Sequence, residues 1–143
     1  MTSHTEAPVR SYGFGATINL PYDRTLERTR AALKEQGFGV LTEIDVKQTL
    51  KAKLDKDFRP YIILGACNPP LAHRALSADL GIGLLLPCNV VVYDNGDNTS
   101  TVEVMDPEAA LGLVGDNPTI ADVAHEASAR LHQVLDALAA AWN

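Results

Sequence analysis

The sequence predicts an α+β fold: a single mixed β-sheet containing an antiparallel hairpin, with helices packed against it. Three observations carry that reading. Short apolar runs alternate at period two, the longer stretches between them repeat at three- and four-residue spacing, and a turn-rich segment joins the last two strands.

Tyr12, Phe14, Ala16, Ile18 and Leu20 alternate through Ser11–Leu20, the pattern of a half-buried first strand. Asp23 is placed to cap a helix carrying Leu26, Thr29, Ala32 and Leu33 on one face, and Gly37 suits its left-handed stop after about Gln36. Phe38–Val46 alternates again, with Val40, Thr42, Ile44 and Val46 on one side and Leu41, Glu43 and Asp45 on the other. Val46, Leu50 and Leu54 then repeat at i+4 beside Lys47, Lys51 and Lys53, a short amphipathic helix. Tyr61–Ala66 is a β-branched, apolar run that reads as a buried strand. Asn68 as N-cap and Pro69 at the first helical position start a helix through Pro70–Ala78. Gly81–Leu86 fits either a strand or a buried turn. Asn89–Tyr93 and Thr99–Met105 form the hairpin around Asn95-Gly96, a helical turn follows Asp106-Pro107, and the last helix starts at Asn117-Pro118. It buries Ile120, Val123, Ala124, Ala127, Leu131, Val134, Leu135 and Leu138.

A chain of 143 residues without repeats or linkers is the length of one domain, with residues 1–10 expected as a flexible N-terminal tail. Twelve Lys and Arg against eighteen Asp and Glu leave a net charge of −6, which opposes the phosphate contacts of nucleic-acid binding. The N-terminus lacks the apolar stretch of a secretory signal, and no run reaches the 18 or so apolar residues of a membrane span. A cytoplasmic protein without a membrane or nucleic-acid partner is expected, with Cys67 and Cys88 as free thiols. Strands apolar on both faces call for cover on each, and a homodimer would supply it.

The chemistry gathers around Ile63–His73 and Leu84–Asn89. Cys67 stands one residue before a helix N-cap, where the helix dipole favours thiolate. Burial as a small hydrophobe is the competing reading. Cys67, Cys88 and His73 would together offer soft ligands for zinc or copper(I), although their spacing is not that of a structural zinc site. Asn68 and Asn89 each follow a cysteine and could orient a ligand or cap the backbone. Glu43 and Asp45 lie on one strand face at a separation that permits acid–base work, which a solvated edge explains equally well. Arg59 could hold an anion. His125 and His132, at i and i+7, are too far apart to share a metal ion. No dinucleotide fingerprint, phosphate loop, calcium loop or nucleophile elbow is present.

Four ordered segments, Gly37–Val46, Asp57–Tyr61, Leu64–Pro70 and Leu85–Tyr93, resemble the bacterial and archaeal family called domain of unknown function 302, without departure at either cysteine. The resemblance runs from the first strand through Pro107, with the last helix similar only in kind. It implies a small α+β domain that dimerises and has no established activity, so no catalytic residue or cofactor carries over. The residues point to a homodimeric module binding a small anionic ligand or soft metal ion near Cys67 and Cys88, with Glu43, Asn68, His73 and Asn89 completing the candidate set. The alternative is a thiol-dependent enzyme or sulfur carrier in which Cys67 is the nucleophile and His73 or Glu43 moves the proton.

Overall fold

The computed structural model describes residues 7–140. Its elements follow in the order β1 (Gly13–Ile18), α1 (Tyr22–Glu35), β2 (Gly39–Asp45), α2 (Val46–Leu54), β3 (Tyr61–Cys67), α3 (Pro69–Ala78), a 3-10 helix (Leu80–Leu85), β4 (Cys88–Asp94), β5 (Ser100–Met105), α4 (Pro107–Leu111) and, after a short 3-10 turn, α5 (Pro118–Ala140). The α+β class holds. All four pairings are antiparallel in the order β1-β5-β4-β3-β2, so the sheet is not mixed. The reason is geometric. α1 does cross between two strands of like direction, β1 and β2, but it spans the whole sheet and leaves them at opposite edges, where they never pair. α2 and α3 instead return the chain antiparallel to its neighbour.

One sheet face carries Ala16 and Ile18, Val102 and Val104, Cys88, Val90 and Val92, and Ile62, Leu64 and Ala66, all buried. α1 and α5 close over it through Leu33, Leu131, Val134 and Leu138. A second apolar cluster lies among α3, α4, α5 and the 3-10 helix, centred on Leu71, Ala75, Ile82, Leu111, Ile120 and Val123. Gly81–Leu86 is neither the strand nor the buried turn the sequence suggests: a 3-10 helix takes its place, burying Ile82 and leaving Gly81, Gly83 and Leu84 exposed.

Helix ends follow local chemistry. α1 begins at Tyr22 after an extended Pro21, with Asp23 in its first turn and not capping it. There its charge meets the positive end of the helix dipole. The helix stops where Gly37 takes φ +83°, and the Phe38 and Gly37 amides donate to the Leu33 and Lys34 carbonyls. Buried Phe38 and Leu33 join the same core, so the stop and the packing reinforce each other.

β2 departs from the alternation expected of it. A bulge between Val40 and Thr42 sets Val40 opposite Ala66, Thr42 opposite Gly65 and Glu43 opposite Leu64. Val40 and Ile44 thus lie on opposite faces, and Leu41 is the extra residue, turned outward. Of the ten-residue tail, residues 1–6 lie outside the described residues; the Arg10 side chain is held by Glu103 of β5. Among the described residues no helix is long and apolar enough to cross a membrane.

Candidate functional site

A cavity of about 320 Å³ opens where the β3–β4 end of the sheet meets the second apolar cluster. Cys67 and Asn68 reach it from the end of β3, Cys88 from the start of β4, and Leu71, Ala72 and Leu76 from α3. Phe38, Leu111, Val123 and Ala127 form the rest of its apolar wall, and Leu41 of the bulge stands at its edge. Among the described residues no Lys, Arg, His, Asp or Glu lines it, and apart from the two thiols only Thr42 and Asn68 bring polar side chains.

The thiols come together as neighbours but not as partners. Cys88 pairs across the sheet with Ala66, so Cys67 is offset by one residue and leaves the opposite side of the pleat. Both are free. Burial pushes the Cys67 thiol up from its ordinary range, and burial, with Cys67 nearby, pushes Cys88 up to about 11. Desolvation disfavours the charged form and here outweighs any pull from the helix dipole. Both sulfurs are neutral at physiological pH.

The start of α3 is likewise closed to anions. Pro69 and Pro70 have no N–H, the Leu71 amide donates to Asn68 Oδ1 at 3.2 Å, and the Ala72 amide donates to the Asn68 carbonyl at 2.9 Å. The donors that make a helix N-terminus an anion site are absent or already engaged. Asn68 is thus the cap its type implied, and at 8% exposure it forms part of the cavity wall.

The other expected residues are elsewhere. Glu43 is paired with Arg30 of α1 at 2.8 Å, across the β2 edge. His73 is exposed in a separate groove with Arg74, Ser77 and Thr119. Arg74 itself faces Glu126 of α5. Asn89 lies on the outer face of the sheet, in a groove with Arg10, Tyr12, Tyr61 and Glu103. Cys67, Cys88 and His73 therefore do not assemble as three ligands, and neither Glu43 nor His73 stands where it could take a proton from Cys67. Among the described residues no group of three or more His, Cys, Asp or Glu could hold a metal ion. Arg59 donates to the Asp94 carbonyl at 3.2 Å. His132 stacks on Phe14, with ring centroids 3.8 Å apart, while His125 approaches Glu108.

Periodicity does not disclose the distant walls, Phe38, Leu111, Val123 and Ala127. Their apolar character is legible, but it does not distinguish a residue that fills a core from one that borders a void.

The family model described as domain of unknown function DUF302 matches residues 14–138. The similarity thus extends through most of the last helix, beyond the Pro107 limit of the motif resemblance. Among solved structures, the chain is similar to the crystal structure of an uncharacterized conserved protein DUF302 from Bacillus stearothermophilus, with 32% identity and a TM-score of 0.81. The alignment covers 90% of this chain and 99% of that one. None of the curated proteins matches the chain.

Proposed function

Because the chain belongs to the DUF302 family, whose name carries no activity, we propose its function from the cavity: a cytosolic, homodimeric module that binds a small, neutral, predominantly apolar ligand beside Cys67 and Cys88. The observation that carries this reading is the lining. A void of about 320 Å³ is of the size that takes a small molecule; among the described residues no charged side chain lines it, and the first amides of α3 are absent or engaged. A charged ligand would lose its hydration without gaining a partner. Asn68 and the two neutral thiols then serve as weak polar contacts that orient an apolar body. The thiol-enzyme alternative has less support, since both thiols are pushed toward the neutral form and, among the described residues, no His, Asp, Glu or Lys lines their cavity.

The test is ligand-observed NMR with 1-octanol, toluene and inorganic phosphate as probes, on the intact protein and on Ala72→Leu. Ala72 lines the cavity from a half-buried helical position, so leucine would occupy the void without disturbing the core. We expect saturable binding of octanol or toluene, weakened at least tenfold by Ala72→Leu, and slower maleimide modification of Cys67 in octanol. Phosphate binding as tight as octanol binding, or octanol binding indifferent to the substitution, would overturn the reading.

A further inference from the structure

Among the described residues Asn68 is the one amide side chain in the cavity lining, and at 8% exposure it is more than nine-tenths buried. Its Oδ1 accepts from the Leu71 amide at 3.2 Å. That bond fixes the orientation of the group, because with oxygen and nitrogen exchanged two N–H donors would face each other. The NH2 is the half left over, and among the described residues it donates to no acceptor. Gly37, next to the Phe38 wall, leaves room beside it: a Cβ there would come within 3.0 Å of Asn68 Nδ2.

We propose that this NH2 is the head-group contact of the cavity, and that the ligand is a neutral carbonyl compound, a ketone or ester. Its oxygen accepts from Asn68 Nδ2 while its hydrocarbon part fills the apolar void. The proposal rests on the cavity reading above and names the chemical class that reading leaves open.

The balance of donors and acceptors carries the choice. With Oδ1 engaged, Asn68 offers the cavity donors only. The Cys67 and Cys88 sulfurs are neutral thiols, weak as donors and weak as acceptors. The Thr42 hydroxyl belongs to an exposed residue of β2, where water can serve it. An alcohol or amine would therefore bring an O–H or N–H into a lining whose free side-chain acceptors are thiol sulfurs. A ketone or ester brings an acceptor and no donor, so nothing polar on either side is left over.

The same balance disfavours a pure hydrocarbon. Such an occupant would expel water from the amide without replacing the bond, and a buried donor left unpaired costs more than a made bond gains. A site with a donor to satisfy discriminates against the analogue that cannot satisfy it.

Acetophenone, 1-phenylethanol and ethylbenzene share one shape and differ in the group they would present to Asn68. Their dissociation constants, measured by ligand-observed NMR on the intact protein and on Asn68→Ser and Asn68→Asp, test the proposal. Both variants keep an oxygen for the Leu71 amide and lose the NH2, and far-UV circular dichroism establishes that each folds. We expect acetophenone to bind the intact protein more tightly than 1-phenylethanol and to weaken roughly fivefold or more in both variants. Ethylbenzene should stay within about twofold in Asn68→Ser. The infrared carbonyl stretch of bound acetophenone should lie below its position in hydrocarbon solvent for the intact protein and return toward it in Asn68→Ser, a shift that a merely structural cap would not move. Ketone and hydrocarbon responding alike to the substitutions, an alcohol bound as tightly as the ketone, or an unshifted stretch overturns the head-group assignment and leaves the cavity reading standing. If none of the three probes binds the intact protein, both fall.

Discussion

At the scale of single residues, burial and not position in the chain sets the character of the two thiols. Cys67 stands at a helix start, where the dipole would favour thiolate, yet desolvation dominates and the group is pushed the other way. Cys88 shows the consequence for stability. Its thiol rises from 9.0 to about 11 on folding, so between those values the unfolded chain releases the proton that the folded chain keeps. Stability is therefore fully present below pH 9 and falls as pH rises toward 11, by about 2–3 kcal/mol for this group. Urea denaturation at pH 8 and pH 10.5 should show that loss in the native chain and a smaller one in Cys88→Ala. The remainder belongs to Cys67, which burial also raises, to Tyr22, which burial chiefly raises to about 12, and to Tyr61 and Tyr93, also raised mainly by burial. An equal loss in both proteins would show that Cys88 is not held neutral by the fold.

At the scale of elements, the helix caps were legible and the strand faces only partly so. Gly37 and Asn68 act through their own chemistry on the nearest backbone, so their residue types suffice to identify them. Asn68→Ala should cost about 1 kcal/mol by thermal or chemical denaturation, and it would free the Leu71 amide at the cavity wall. A loss smaller than a few tenths would mean that the proline pair alone starts α3. In β2, Val40, Thr42, Ile44 and Val46 carry the alternation of a straight strand, which the bulge breaks. The bulge that reverses it is anchored across the sheet at Gly65, where a side chain would collide with Thr42 Oγ1 and approach Pro87. Nothing within Phe38–Val46 itself encodes that constraint. Asp23 differs in another way: a good capping residue is the second residue of the helix, because Pro21 already supplies the extended entry.

At the scale of the whole molecule, two apolar clusters share α5 and part around the cavity. Leu64 lies in the sheet core and Ile120 in the second cluster. Leu64→Ala should cost about 2–5 kcal/mol and Ile120→Val about 0.5–1.5 kcal/mol. In the double variant the two losses should add to within about 0.5 kcal/mol, as for sites with no shared contacts. Denaturant titration of the three variants checks this. A coupling well beyond that margin would mean the two clusters behave as one packed core.

The α+β class, the family, nearly every element and the interior residues of α5 are legible along the chain, because periodicity, caps and turn chemistry are local and repeat. The assembled fold settled that every strand pair among the described residues is antiparallel and that Cys67 and Cys88 share a cavity while Glu43, His73 and Asn89 do not. Those outcomes depend on which distant segments desolvate one another. Cys67 and Cys88 are twenty-one positions apart in the chain and meet only because Ala66 pairs with Cys88, a register that the strands of the assembled sheet impose together.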